Sequence, residues 1–136
     1  MAWIETPVTS WTPTITQSGS VTVTVNRAKY TINGNTAVAN IYLTVTGSGT
    51  GGNVIVIGGQ PSAIQPSGYV AGEVIGIARI LDSSASTHYV GALIYVGATD
   101  WRIMAPAAVG NYLGAVPSFA LANNDVINLA ATYPLT

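Results

Sequence analysis

The chain has 136 residues, of which 49% are hydrophobic and only 7% are charged, and its formal net charge is -1. Intrinsic disorder needs the opposite combination of low hydrophobicity and high charge. The absence of cysteine excludes disulfide frameworks, thiolate metal sites and cysteine nucleophiles, and the single histidine excludes a site with two histidine ligands. Four Lys and Arg residues are too few for a protein that reads the phosphates of a nucleic acid.

The sequence contains no targeting or membrane segment that we recognise. Its N-terminal stretch, MAWIETPVTSW, lacks the positive start and the apolar run of a signal peptide. The long uncharged stretch at residues 103–124 contains two prolines and two glycines, which suit a membrane-spanning helix poorly. We therefore expect one soluble domain with no membrane insertion and no cofactor, made in the cytoplasm of a cell.

The first half of the chain predicts a β-hairpin. Residues 20–26 alternate strictly, with valines on one side and threonines on the other. Residues 28–32 predict a short strand, and Asn33-Gly34 marks a tight turn because glycine accepts a positive φ. The next strand is predicted at residues 36–46, with small and aliphatic side chains on one face and mostly polar ones on the other.

The second half predicts further strands separated by turn-rich loops. Helix signals are nearly absent, because Lys and Glu are rare while Gly, Thr, Val and Asn abound. Residues 69–81 predict a strand with a bulge near Gly72 or Gly76. Residues 106–117 are expected to be irregular or to hold one short helix. The other predicted strands are residues 54–57, 88–96, 100–105 and 126–133, with a short apolar run at 119–122.

This pattern of about eight to nine short strands predicts an all-β fold, an antiparallel sandwich or jelly roll. We expect residues 1–10 to form an N-terminal arm and residues 11–136 to form a β-sandwich (jelly-roll) head domain. Several strands are apolar on both faces, whereas a two-layer sandwich buries only one face of each sheet. Large exposed apolar patches are rare on monomers, so we expect the chain to self-associate.

Three segments resemble one known domain. Residues 10–16, SWTPTIT, are similar to the first strand of a domain found at the C-termini of bacteriophage tail fibres and related virion proteins. Residues 30–35, YTINGN, resemble its step from a tyrosine through a hydrophobic residue to Gly-Asn. Residues 121–127 lead into Ala-Thr-Tyr where family members have Gly-Thr-Tyr, so Ala131 departs from the pattern. The resemblance covers residues 10–136 through motifs that are short and structural.

The resemblance implies a homotrimeric jelly-roll head on the surface of a bacteriophage virion, a tail-fibre-type protein that contacts the host cell through a glycan. Its partners would be other virion proteins and host glycans, with no nucleic acid. Tail fibres carry a long stalk before this head, whereas about ten residues precede the matched region here. We therefore expect a stand-alone virion protein or an excised head. A capsid decoration or tail-assembly protein without a receptor role is the alternative, and a free lectin or carbohydrate-binding module is a more remote one.

The densest candidate ligand site is Asp100-Trp101-Arg102. An aromatic ring beside Arg and Asp can stack on a sugar and hydrogen-bond its hydroxyls. Tyr89 borders one of the turn-rich loops and is the fourth candidate ligand-binding residue. The structural alternative is a core tryptophan flanked by an Asp–Arg surface pair.

The N-terminal segment offers a candidate docking site for the virion or a neighbouring subunit. Trp3, Ile4 and Trp11 are apolar residues that favour burial, and tryptophan is a preferred interface anchor. Pro7 holds the segment extended. The alternatives are that Trp11 packs under the sheet of its own chain and that the arm covers its own sheet.

Catalytic and metal sites have weak support in the sequence. His88 follows three serines, but no Gly-x-Ser-x-Gly nucleophile elbow is present. The five carboxylates fall mostly in turns, which argues against a glycosidase pair. Residues 123–125, Asn-Asn-Asp, could offer oxygen ligands to calcium. We expect a protein that is not an enzyme and holds no metal.

Overall fold

The computed structural model describes residues 7–106 and 111–136, and within them the chain is all-β and antiparallel, as the sequence predicts. One 3-10 turn, Ser62–Ile64, lies among the strands of this described part. The strands are β1 Thr9–Ser10, β2 Thr14–Thr16, β3 Ser20–Val21, β4 Val23–Asn33, β5 Thr36–Val45, β6 Val56–Gly58, β7 Glu73–Asp82, β8 Thr87–Gly97, β9 Asp100–Met104 and β10 Val126–Pro134.

All of these strands belong to one curled sheet, in the order β1-β4-β5-β10-β7-β8-β9-β6-β2-β3. The five neighbours from β4 to β8 are nine to eleven residues long and form a broad surface. Strand β10 pairs with both β5 and β7, so the C-terminal strand lies in the middle of this surface. The inward faces of strands from both halves of the sheet share one apolar core.

The two-residue alternation of apolar side chains determines which face of each strand is buried. On β5 the face predicted from the sequence is the buried one, and it carries Ala37, Ala39, Ile41, Leu43 and Val45. On β10 the buried face is likewise every second residue. Burying one such aliphatic side chain stabilises the fold by about 1.5 to 3 kcal/mol.

The predicted hairpin joins β4 to β5. Asn33 pairs with Thr36, so Gly34 and Asn35 form the two-residue turn. Gly34 has a φ of 62°, a conformation that glycine adopts without a steric penalty. The two strands predicted at residues 20–26 and 28–32 are divided differently in the structure. Residues 20–21 form β3, and β4 continues from Val23 through the second predicted strand, with a β-bulge between Val25 and Arg27.

The predicted bulge in the second half of the chain is also present. The register of β7 against β8 shifts between Val74 and Gly76, which matches the prediction of a bulge near Gly76. The strand itself begins at Glu73 rather than Tyr69, because the Val70 carbonyl accepts a hydrogen bond from the Glu73 backbone N–H across a turn. The apolar run at residues 119–122 lies outside the named strands.

A buried amide holds three loops together at one end of the sheet. Gln17 is 1% exposed, and its Nε2 donates hydrogen bonds to the carbonyls of Asn53 and Phe119 at 3.1 and 2.7 Å. Its Oε1 accepts the backbone N–H of Leu121 at 2.9 Å. These bonds satisfy backbone groups that lack ladder partners.

Within residues 7–106 and 111–136, no helix is long and apolar enough to cross a membrane.

Candidate binding surface

The solvent side of strands β4, β5, β10, β7 and β8 forms a continuous surface, which we call the outer face. Its side chains alternate with those of the core, and the strand register aligns them in rows across the sheet. One row consists of Arg27, Tyr42, Asn128, Arg79 and Val90, and the next consists of Lys29, Asn40, Ala130, Ile77 and Ala92.

A shallow groove crosses the middle of the outer face, and we call it the arginine groove. Its volume is about 330 Å³. Arg27 and Asn40 line one side, and Arg79 lies across the groove from them. Small and polar residues of β10 lie between the two sides. The residues that line the groove are Arg27, Asn40, Ile77, Ala78, Arg79, Val90, Asn128, Leu129 and Ala130.

Arg27 is held in place by its neighbours on β5. Its Nε donates a hydrogen bond of 2.7 Å to Oδ1 of Asn40, and its guanidinium carbon lies 5.8 Å from the centre of the Tyr42 ring. The β-bulge before Arg27 places Asn26 on the same side, where it accepts a 2.8 Å hydrogen bond from the Thr44 hydroxyl. The terminal guanidinium nitrogens of Arg27 form no hydrogen bond within the described residues.

Arg79 is the second cation of the groove. It lies on β7, opposite Asn128 on one side and Val90 on the other. Within residues 7–106 and 111–136, neither Arg79 nor the side-chain amide of Asn128 forms a side-chain hydrogen bond or an ion pair. Both groups therefore have donors available to a bound molecule.

None of the acidic residues within 7–106 and 111–136 lines the arginine groove. Among the described residues the one ion pair joins Arg102 to Asp100, away from the groove. The carboxylate of Glu73 accepts the backbone N–H of Val70, and Asp82 accepts the hydroxyl of Ser84. The positive charge of the groove is consequently not balanced by a carboxylate in its lining.

The outer face also exposes large apolar side chains around the groove. Ile77 is 69% exposed and Val90 is 57% exposed, and both line the groove. Val38 is also exposed, on β5 beyond Asn40. An apolar and amide-rich surface of this kind favours contact with another molecule over bulk water.

The predicted cluster at Asp100-Trp101-Arg102 divides between the two faces of β9. Trp101 is 1% exposed and packs in the core, so its ring offers no face to a sugar. Arg102 and Asp100 form a bidentate pair at 2.8 and 2.9 Å on the other face. The hydrogen bond to Asp100 raises the pKa of the Arg102 guanidinium. This arrangement matches the structural alternative of a core tryptophan flanked by a surface pair.

Tyr89 does not join this cluster. It stacks on Phe119 with ring centres 4.5 Å apart and planes 12° apart. Trp101 lies opposite Tyr95 in the strand register. Tyr95 is six residues beyond Tyr89 on β8, and the rise per residue of a strand puts about 20 Å between the two tyrosines. The structure therefore separates Tyr89 from the other three candidate ligand-binding residues.

The docking candidates at the N-terminus have different positions. Trp3 and Ile4 lie outside the described residues. Trp11 is half-buried against its own chain, with its ring edge-to-face on Tyr30 at 5.6 Å. The end of the predicted arm pairs with β4, where Thr9 lies opposite Tyr30.

Asp125, one of the residues that suggested a calcium site, has structural partners. Asp125 is buried, and its carboxylate accepts the backbone N–H groups of Ser83 and Ala122 at 3.0 and 2.9 Å. His88 is exposed at the start of β8, opposite Leu81. The described part of the chain contains no group of three or more His, Asp or Glu residues that could hold a metal ion.

Sequence reasoning missed the arginine groove as a site. Alternation placed Asn40 and Asn128 on the faces opposite the core, but it could not show that they would lie close together. The register brings Arg27, Asn40, Asn128 and Arg79 from four strands onto one surface. The signal in the sequence was the scarcity of cations, because two of only four Lys and Arg residues line this groove.

Comparisons of this chain with protein-family models, with curated proteins and with solved structures find no match.

Proposed function

We propose that this chain is a non-enzymatic binding head, a homotrimeric jelly-roll domain of the tail-fibre type that contacts a glycan of a host cell at the virion surface. The observation that carries the proposal is the outer face, a broad open sheet surface in which exposed Ile77 and Val90 adjoin amides and guanidinium groups. Such a mixture of apolar and hydrogen-bonding groups suits binding of a polar ligand. The resemblance at residues 10–16, 30–35 and 121–127 supplies the virion context.

The distribution of polar groups supports binding rather than catalysis. The Asp125 carboxylate and the Gln17 amide are buried and hydrogen-bonded to backbone groups of loops. Asp100 is held by Arg102 in a bidentate pair. A general acid or base has to reach the proton it transfers, whereas these groups serve the fold.

The exposed apolar side chains that do not line the groove, such as Val8, Val70 and Val74, and the low charge support assembly. A small domain with 7% charged residues depends on contacts with other molecules to cover its surface. Light scattering is expected to give three times the 13.9 kDa chain mass, about 42 kDa. A mass of a single chain at micromolar concentration would contradict the trimer.

Cell binding tests the receptor role directly. A fluorescently labelled chain is expected to bind bacterial cells and to lose this binding after periodate oxidation of their surface glycans. Ala130→Trp places a large ring in the middle of the outer face, where Ala130 is exposed, and is expected to abolish binding. Ala98→Trp adds the same ring at the exposed β8–β9 turn and serves as the matched control.

The result also separates the two virion roles. A trimer that coats phage capsids and binds no cell would favour the decoration or assembly role and contradict the receptor role. Binding that survives periodate treatment would exclude a glycan as the target.

A further inference from the structure

We propose that the arginine groove binds a carboxylate-bearing saccharide, an inference that rests on the proposed function of a glycan-contacting head and adds the class of glycan and its site. The groove combines two guanidinium groups, two amide side chains and exposed aliphatic walls, and none of the acids that the structure describes lines it. Each of these features matches a different part of an acidic sugar.

The charge of the groove selects an anion. Arg27 and Arg79 lie on opposite sides of it, three strand steps apart, which is about 14 Å between their backbones. The hydrogen bond from Nε of Arg27 to Asn40 orients the guanidinium and leaves its terminal nitrogens available to a ligand. A guanidinium binds a carboxylate through two parallel hydrogen bonds. The separation suits an extended polymer that carries repeated carboxylates.

The remaining lining matches sugar hydroxyls and ring carbons. Asn40 uses Oδ1 to accept from Arg27, so its Nδ2 remains a donor for a ligand. Asn128 lies between the two arginines in the same row and offers both a donor and an acceptor. Ile77 and Val90 present exposed aliphatic surface against which the C–H groups of a pyranose can pack.

A second copy of this chain is a poor occupant of the groove. Two outer faces placed against each other would bring arginines to arginines, and like charges in contact repel. The four described acids lie outside the groove lining: Asp125 is buried, Asp100 is paired with Arg102, and Glu73 and Asp82 accept hydrogen bonds from Val70 and Ser84. The charge therefore favours a ligand from outside the assembly.

An extended peptide is also a poor occupant. Peptides add to sheets at an open edge, where backbone donors and acceptors are free. The groove lies over β5, β10 and β7, which pair with neighbours on both sides. Recognition must come from side chains alone, and the amides in the groove match hydroxyls.

The test compares the full chain with two single variants of equal net charge. Arg79→Gln removes one cation of the groove, and Arg102→Gln removes a cation outside its lining. Calorimetric titration uses three carboxylate polymers, polygalacturonate, hyaluronate and polysialate, with neutral dextran and poly-glutamate as comparisons. We expect at least one carboxylate polysaccharide to bind, with affinity reduced about tenfold or more in the groove variant. The control variant should change affinity less than about threefold.

A second readout does not depend on the variants. In the NMR spectrum of the unaltered chain, the Nε–Hε signals of Arg27 and Arg79 should shift on addition of the bound polysaccharide, while the signal of Arg102 should stay in place because its pair with Asp100 persists. Absence of shifts at both groove arginines would overturn the assignment of the site.

Each contrary outcome has a distinct meaning. Binding of dextran as tight as that of the acidic polymers, unchanged in the groove variant, would overturn this inference and leave the glycan-contacting head intact. Binding of poly-glutamate alone through the groove arginines would overturn the inference, because the ligand of the groove would then be an acidic peptide and not a saccharide. Binding of none of these polymers would overturn the inference, whereas cell binding that resists periodate would overturn the proposed function itself.

Discussion

The ring of Trp101 meets the ring of Tyr133 edge-to-face, with centres 5.9 Å apart and planes at 85°. Trp101 lies on β9 and Tyr133 on β10, and two further strands, β7 and β8, lie between them. A flat sheet would separate their backbones by about 14 Å. The contact therefore depends on the curl of the sheet, which turns its inward side chains towards a common centre.

Tyr133 also connects this core to the 3-10 turn. Its hydroxyl donates a 2.7 Å hydrogen bond to the carbonyl of Ile64, and both residues are buried. Tyr69 packs edge-to-face on Tyr133 at 6.2 Å. Burial first, and the neighbouring Tyr69 second, raise the pKa of the Tyr133 phenol well above its ordinary value near 10.

The first prediction concerns alkaline stability. The folded chain holds the Tyr133 proton more tightly than the unfolded chain does, so the stabilisation is complete below pH 10 and declines as pH rises above it. The expected decline from this group is about 1.4 kcal/mol per pH unit. Urea unfolding of Tyr133→Phe should show lower stability at pH 7, by about 1 to 2 kcal/mol, and a shallower decline above pH 10.

Tyr42→Phe is the control for this experiment, because Tyr42 lies on the outer face. It should retain the alkaline decline of the unaltered chain. Equal slopes above pH 10 for Tyr133→Phe and the unaltered chain would contradict the prediction.

The sequence predicts which face of a strand is buried better than it predicts which strands pair with each other. Alternation identified the buried face of β5, and the Asn-Gly-Asn turn located the hairpin. The pairing of β10 with β5 and β7 joins Leu129 to Ile41 and Ala78, residues far apart in the chain. Local patterns contain no information on such pairings, because any strand with the same alternation of apolar and polar side chains would bury its apolar face equally well.

The candidate ligand site illustrates the same limit. Asp100-Trp101-Arg102 is a dense cluster in sequence, but the alternation of β9 sends Trp101 inwards and its neighbours outwards. The arginine groove is dispersed in sequence and compact in space, because five neighbouring long strands contribute residues to its lining. Adjacent residues on a strand diverge, so a site on a sheet is assembled across the strands.

The second prediction concerns the bulge in β7. A Cβ at Gly76 would meet the backbone of Ala130 and Ala131 on β10 at distances that side chains do not tolerate. Because backbone atoms of a central strand cannot move without breaking the ladder, Gly76→Ala should cost about 2 kcal/mol or more. Gly19→Ala is the control, since a Cβ at Gly19 meets nothing within 4 Å and its φ is not positive.

Thermal unfolding of the two variants measures this difference. Gly19→Ala is expected to match or slightly exceed the stability of the unaltered chain, because alanine restricts the unfolded state. If Gly76→Ala melts within a degree or so of Gly19→Ala, the close approach of β7 to β10 is not a constraint on the fold.

The third prediction concerns Gln17. Gln17→Leu has a similar shape but removes two donated hydrogen bonds and one accepted bond, which leaves backbone groups of Asn53, Phe119 and Leu121 without partners. The expected loss of unfolding free energy is about 3 kcal/mol, measured by urea denaturation. Gln65→Leu removes a single bond to the Gln60 carbonyl and should cost about 1 kcal/mol. Equal losses for the two variants would contradict a special role for Gln17.

The last prediction concerns Asp125, which joins the loop after β7 to the start of β10. Its Oδ1 accepts the backbone N–H of Ser83 at 3.0 Å and its Oδ2 accepts that of Ala122 at 2.9 Å. Asp125→Ala leaves both partly buried backbone donors without an acceptor and should lower the unfolding free energy by about 2 to 4 kcal/mol. Asp82→Ala is the control, since Asp82 bonds only within its own turn and should cost about 1 kcal/mol or less.

Calcium distinguishes this structural role from a metal site at residues 123–125. The lone pairs of the Asp125 carboxylate are directed at N–H donors, which repel a cation. Millimolar calcium should therefore leave the melting temperature of the unaltered chain unchanged, and chelation should do the same. A bound ion stabilises the folded state by mass action. A rise in melting temperature with calcium that disappears in Asp125→Ala would therefore show that Asp125 is a metal ligand, which contradicts the prediction.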